Sequence, residues 1–164
     1  NLWFAPFDLT QEADRVFYQT CREEAWQNLY GRLDRYNGTG FLDDAYASWQ
    51  EDPRSLSMAM AGNRRAGLLQ LDPNREKKGY VSFLYLTPEQ RHNGVGVQLI
   101  GKAVSLYRPL GRERLQLSCS EANQPALSFY EKYGFRRTGA TAGAYGRLYE
   151  MEKYIGYDDQ GALD

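Results

Sequence analysis

Hydrophobic and polar positions along this chain change period several times, and each change marks an element. Leu2 to Phe7 reads as a short strand broken at Pro6. Asp8 or Thr10 can cap a helix, in which Ala13, Val16, Phe17 and Cys21 recur at helical spacing as far as about Tyr30. Tyr36-Asn37-Gly38-Thr39-Gly40 is a loop, and Leu42 to Gln50 a weaker helix stopped before Pro53. Leu56 to Ala61 and Ala66 to Leu71 form a hairpin around Gly62-Asn63-Arg64, followed by an exposed turn from Asp72 to Lys78.

The second half alternates strand and helix. Tyr80 to Leu86 is an aromatic and aliphatic strand. Val97, Ile100, Val104 and Tyr107 share one face of a helix that ends at Pro109-Leu110-Gly111. Arg114 to Cys119 is a strand, and Asn123 to Tyr133 a helix closed by Gly134. Strand, helix, strand is a crossover unit, which makes the two strands parallel neighbours. Phe135 to Thr138 and Leu148 to Tyr154 form a last strand pair around a small-residue loop, Gly139 to Gly146. The expected class is α+β, with a mixed, mostly antiparallel sheet containing one parallel step.

Composition narrows the field. A chain of 164 residues fits one domain, residues 1–164, with a core of its own. Its 20 Lys and Arg against 21 Asp and Glu argue against a nucleic-acid partner, and no apolar run is long enough to span a membrane. With no signal peptide evident, a soluble, cytoplasmic protein is expected. Cys21, Cys119 and the single His92 provide neither a disulfide framework nor a zinc site, so no metal is expected. The first residue is Asn1, which suits a processed chain or a piece cut from a longer one.

Candidate chemistry begins at Leu86-Thr87-Pro88, where a strand runs through Arg91-His92-Asn93-Gly94-Val95-Gly96 into a helix. Glycine costs about 1 kcal/mol relative to alanine in a helix interior, so two of them opening a helix call for a reason. A helix N-terminus offers unpaired N–H groups and partial positive charge, and two missing Cβ atoms let a diphosphate approach them. Arg91, and His92 if it is not merely solvated, would add charge. The third glycine of a dinucleotide fingerprint is missing, as is the Gly-Lys-Ser/Thr of a phosphate loop.

The remaining pattern, R-x-x-G-x-G, resembles the acetyl-coenzyme A loop of the GCN5-related N-acetyltransferases (the GNAT superfamily). Three further features carry the resemblance: the strand ending Leu84-Tyr85-Leu86-Thr87-Pro88, the strand running into Cys119-Ser120-Glu121-Ala122-Asn123, and the helix Ala126-Leu127-Ser128-Phe129-Tyr130-Glu131-Lys132-Tyr133-Gly134-Phe135, close to A-x-x-F/L-Y-x-K-x-G-F. It covers roughly Gly79 to Arg136. Before that, only the order of elements matches.

The resemblance implies a GNAT fold: a twisted sheet of about six to seven strands with helices on both faces, whose central parallel pair, Tyr80–Leu86 and Arg114–Cys119, splays apart to hold acetyl-CoA. Backbone groups of Leu84, Tyr85 and Leu86 would pair with the pantetheine arm, and one N–H would polarise the thioester carbonyl. Arg91, His92, Asn93, Gly94, Val95, Gly96 and Val97 would hold the pyrophosphate. Asn123 would bond the arm, cap the helix, or do both. Tyr130 would protonate the departing thiolate, although in a chain of 13 tyrosines a helical Tyr can equally be packing. Phe129 and Tyr133 read as core.

Some members of that family place a glutamate base early in the fourth strand. The matching position here is Tyr80, so water or already neutral amine would have to serve. Asp43, Asp44, Glu51 and Asp52 read as solvated surface, and Cys119 shows no sign of activation.

The implied function is transfer of acetyl from acetyl-CoA to a primary amine by direct attack in a ternary complex. The alternative is a catalytically silent acyl-CoA-binding or sensor domain of a larger protein. A nucleotide-binding regulator is disfavoured by the missing lysine and glycine. Small amine, peptide terminus, lysine side chain and aminoglycoside all remain open as acceptor, with Tyr36, Trp49 and Tyr145 as candidates for an aromatic wall. Dimers are common in the family, so the resemblance leaves a homodimer open, although no feature of this sequence proves one.

Overall fold

The structure, a computed structural model, describes residues 1–156. Residues 157–164 of the expected single domain lie outside the described residues. The element order is β1 (Trp3–Pro6), α1 (Glu12–Tyr30), α2 (Gly38–Glu51), β2 (Leu56–Ala61), β3 (Arg64–Asp72), β4 (Gly79–Leu86), α3 (Gly96–Tyr107), β5 (Arg114–Ser120), α4 (Gln124–Lys132), β6 (Arg136–Gly143) and β7 (Gly146–Tyr154). The seven strands form one mixed sheet in the order β1-β2-β3-β4-β5-β7-β6. The expected parallel step is present: β4 and β5 run parallel, with Gly79 opposite Leu115 and Tyr80 opposite Gln116.

Two compact units divide the chain, Asn1–Leu71 with Phe83–Ile100, and Asp72–Ser82 with the described part of the segment from Gly101. Strand β4 contributes to both.

In the first unit, Glu12 and Asp14 occupy the first turn of α1, where the helix dipole favours carboxylates. Gly31, at φ 70°, ends the helix. The buried stripe of α1 is turned from the expected one: Val16 is 52% exposed, whereas Tyr18 and Cys21 are buried. Tyr18 can enter the core because its hydroxyl is satisfied there, donating to Gln70 Oε1 at 2.6 Å. Around it pack Phe7, Leu9, Ala45, Leu56, Met58, Leu68 and Tyr85. The Arg22 guanidinium lies 4.3 Å from the Phe41 ring centroid and 4.0 Å from that of Phe83. Asp8 makes a local turn instead of capping α1: its Oδ1 accepts from the Thr10 N–H and hydroxyl.

Helix α2 starts four residues before its expected start at Leu42. Asn37 Oδ1 accepts from the Gly40 N–H, and this cap lets Gly38-Thr39-Gly40 form the first turn rather than the expected loop. Strands β2 and β3 pair as the expected hairpin, with a bulge at Ala59/Met60. Gly67 on β3 is required by a close approach: a Cβ there would run into the Tyr85 carbonyl and the Leu86 Cα of β4.

In the second unit, Gly111 (φ 77°) and Gly134 (φ 92°) occupy left-handed positions after α3 and α4, as the sequence predicts. Strand β5 pairs with β7 along its whole length, from Arg114↔Tyr154 to Ser120↔Leu148. The segment expected as a loop from Gly139 is mostly strand. Strand β6 reaches Gly143 and is joined to β7 at Gly146 by a two-residue turn. Its small, exposed residues lack the alternating apolar signal by which a strand is read, and pairing with β7 supplies its order.

Candidate active site

The glycine turn after β4 opens α3 at Gly96, as expected. His92 (φ 64°) and Gly94 (φ 74°) are both left-handed, so the chain reverses twice within three residues. A Cβ at Gly94 would meet nothing within 4 Å, which leaves open space over this backbone. Arg91 sits at the edge of the turn with its guanidinium engaged. Nε donates to the Leu86 carbonyl at 2.9 Å, and Nη2 pairs with Glu24 Oε2 of α1 at 2.9 Å. The Tyr85 hydroxyl donates to the same Glu24 oxygen at 2.8 Å. Asn93 donates its side-chain amide to the Glu89 carbonyl at 3.1 Å.

Successive carbonyls of a strand point to opposite edges. The Tyr85 carbonyl faces Gly67 and the Thr87 N–H donates to the Ala66 carbonyl at 2.8 Å, so both turn toward β3. The backbone groups of Leu84 and Leu86 therefore turn away from β3.

In the second unit, Asn123 caps α4, its Oδ1 accepting from the Ala126 N–H at 3.2 Å. Tyr130 is buried on α4, its ring 5.5 Å from Phe129 and 5.3 Å from Phe135. The Phe129 and Tyr133 rings, one turn apart, lie 5.0 Å from each other and are tilted by 59°.

These features occur in the order and spacing that the sequence suggests, and a wider comparison agrees. The profile of the Acetyltransferase (GNAT) family matches residues 9–135. This chain belongs to the GNAT family. Among curated relatives, human N-alpha-acetyltransferase 30 is 29% identical over 89 residues, 52% of this chain and 25% of the relative. The chain thus matches about a quarter of that protein's length. Among solved GNAT-like structures, Ard1 from Thermoplasma volcanium has a TM-score of 0.72 at 20% identity, covering 93% of this chain and 97% of that one. The PaiA N-acetyltransferase from Thermoplasma acidophilum, solved in complex with coenzyme A, also has a TM-score of 0.72 at 20% identity, covering 94% and 99%. At such identities the likeness establishes the fold.

Electrostatics separate the ionisable groups of this GNAT chain. Burial raises the Tyr130 phenol above its ordinary range, and the nearby Cys119 adds to the effect. Burial likewise pushes the Cys119 thiol up to about 11 and the Cys21 thiol to about 12. Both cysteines are buried free thiols. Tyr85 is raised by burial and by its bond to Glu24.

The aromatic candidates have packing partners. The Trp49 indole donates to the Phe7 carbonyl at 3.1 Å, and the Tyr36 ring lies 5.6 Å from Trp26. Asp52 caps a single 3₁₀ turn and pairs with Arg54 at 2.9 Å, whereas Asp43 and Asp44 are exposed. Among the described residues, no group of three or more His, Cys, Asp or Glu side chains could hold a metal ion, and no helix is long and apolar enough to cross a membrane.

Sequence reasoning missed two connections. Glu24 is one, a carboxylate on α1 whose sequence neighbours give no hint of Arg91. The other is a chain of hydroxyls ending on a carboxylate. Tyr80 Oη lies 3.2 Å from Ser118 Oγ, and Ser118 donates to Glu150 Oε2 at 3.3 Å. The register places Ser118 opposite Glu150, a pairing that local pattern does not reveal.

Proposed function

We propose that this chain is an N-acetyltransferase that moves acetyl from acetyl-CoA to a primary amine by direct attack in a ternary complex. The observation that carries the reading is the turn at Arg91–Gly96, left-handed at His92 and Gly94 and open above Gly94, leading into α3 in a GNAT chain. Its backbone N–H groups, together with the positive end of α3, form a seat for a pyrophosphate. His92, Asn93, Val95, Gly96 and Val97 contribute main chain to that seat. The Arg91 guanidinium holds the turn to Glu24 and Leu86, with the Glu24 carboxylate offsetting its charge.

Acetyl-CoA supplies an activated acetyl thioester. The chain's own residues bind, orient and protonate. Backbone groups of Leu84 and the N–H of Leu86 turn away from β3 and are available to the amide-like pantetheine arm as to an added strand, with Tyr85 anchoring the strand between them, whereas the Leu86 carbonyl already accepts from Arg91 Nε. Asn123 uses Oδ1 as a cap, and its side-chain amide can donate to the arm. Tyr130 is kept protonated by burial, the form that an acid needs. Since the same burial makes the phenol a reluctant acid, hydrogen bonding to the nascent thiolate is the larger part of its role. Because one relative is named for N-alpha-acetylation, the α-amine of a peptide is the first acceptor to test.

Following free thiol release with acetyl-CoA and a panel of small amines, peptides and aminoglycosides tests the reading. Turnover that collapses in Tyr130→Phe supports it. Tight binding of acetyl-CoA without turnover on any amine would replace the enzyme with a binding module. Gly94→Val should abolish cofactor affinity. Gly94→Asn, which tolerates a left-handed backbone, separates crowding of the seat from strain.

A further inference from the structure

Serine has one hydroxyl proton, and this fixes the direction of the chain Tyr80–Ser118–Glu150. Ser118 donates to Glu150 Oε2 at 3.3 Å. Its contact with Tyr80 Oη at 3.2 Å must then be one in which Tyr80 donates and Ser118 accepts. Both protons point inward toward the carboxylate, which leaves the lone pairs of the phenol oxygen to accept a further proton from outside.

The surroundings hold this chain in place. The Arg75 guanidinium lies 3.9 Å from the Tyr80 ring centroid, and the Tyr107 hydroxyl donates to the Tyr80 carbonyl. Glu152, two residues along β7, is bound by the Gln116 amide at 3.2 Å and by Arg114 at 3.5 Å. Glu150 has no such cation among the described residues, and Ser118 is the donor to its carboxylate. Adjacent side chains of a strand lie on opposite faces, so Ser118 and Cys119 present the relay and the Tyr130 neighbourhood to opposite sides of β5.

We propose that Glu150, acting through Ser118 and Tyr80, is the proton acceptor for the attacking amine. This rests on the acetyltransferase reading above. The lone pair of the neutral amine forms the bond to the acetyl carbon, which makes the nitrogen cationic. An N–H proton of that nitrogen then passes to Tyr80 Oη as the phenol proton passes to Ser118 Oγ and the serine proton to Glu150 Oε2. The carbon–sulfur bond breaks with its electron pair on sulfur, which takes the Tyr130 phenol proton from the opposite face of the strand. Glu150 then gives its proton to solvent and Tyr130 regains one from it. A carboxylate is a weaker base than an amine, so the relay completes its transfer only as the new bond makes the nitrogen acidic. Tyr80 is the group that touches the amine; Ser118 and Glu150 are positioning residues behind it.

The test uses the full chain with the best amine from the panel. Glu150→Gln, Tyr80→Phe and Ser118→Val (whose bulk excludes a substitute water) should each lower kcat about a hundredfold. The KM for acetyl-CoA and its calorimetric Kd should stay unchanged, and Glu150→Asp should recover part of the loss. The double variant Ser118→Val with Glu150→Gln should be no slower than either single one, because a path cut once is already cut. Losses that multiply, or a kcat within threefold of the parent in folded Glu150→Gln, would overturn the relay while leaving the transferase reading intact. An unmodified chain that turns over no amine would remove both.

Discussion

Two tyrosines of β4 end in opposite arrangements. In the first unit, the Tyr85 hydroxyl joins Arg91 on Glu24, where every charge has its counterpart and the network closes on itself. In the second, the Tyr80 hydroxyl heads a one-way line of donors toward Glu150. A closed network fixes geometry, because moving a proton through it would strand a partner. An open, directed line can carry a proton without unpairing anything. The difference assigns Tyr85 to architecture and Tyr80 to chemistry, although local sequence presents them as similar aromatic residues of one strand.

The strongest way to break this contrast is the same substitution at both sites. Tyr80→Phe should lower kcat about a hundredfold and leave stability within about 0.5 kcal/mol. Tyr85→Phe should cost about 1.5 kcal/mol, the scale of a lost hydrogen bond to a charged group, with kcat altered only a few-fold. Steady-state kinetics and urea unfolding on the two variants decide it, and a reversed outcome would exchange the roles. Next in size is Glu24→Gln, which leaves Arg91 without its countercharge. With side chains about 30% exposed on both partners, the pair is partly screened, and a loss of about 1 kcal/mol is expected, read as a fall in Tm.

Alkaline titration sharpens the contrast between ionisable groups that work and those that only pack. The folded state holds the Cys119 thiol protonated up to about 11, above its ordinary value of 9.0, so its contribution is complete below pH 9 and is lost as pH rises toward 11. Unfolding free energy measured across that range should fall less steeply in Cys119→Ala than in the parent. The smallest effect is a gain. Gly101 lies within α3 with open space where a Cβ would go, so Gly101→Ala should stabilise by at most about 1 kcal/mol without changing kcat.

Most of the fold was legible because its second half is built from local signals. Turn glycines, Pro88, the capping Asn123 and strand-helix alternation all act within a few residues. The elements misread are those whose order comes from distant partners. Strand β6 is ordered by β7, and the stripe of α1 turns to bury Tyr18 because Gln70 of β3 receives its hydroxyl. The N-terminus of α2 was hidden by two glycines, although its cap, Asn37, was in plain view. The candidate site divides in the same way. Its backbone seat was readable from Gly94 and Gly96, while Glu24 and Glu150 lie 67 residues from Arg91 and 32 from Ser118, beyond any local pattern.

The absence of a side chain at position 67 leads to a forecast for anyone randomising this hairpin. Selection for folded protein should accept wide variety at Arg64 and Arg65, which face solvent, yet return a single residue at 67, since even one methyl would wedge two ribbons of main chain apart at Tyr85. That position would then act as a gauge of strand spacing, silent in any assay of surface charge and decisive in any assay of shape.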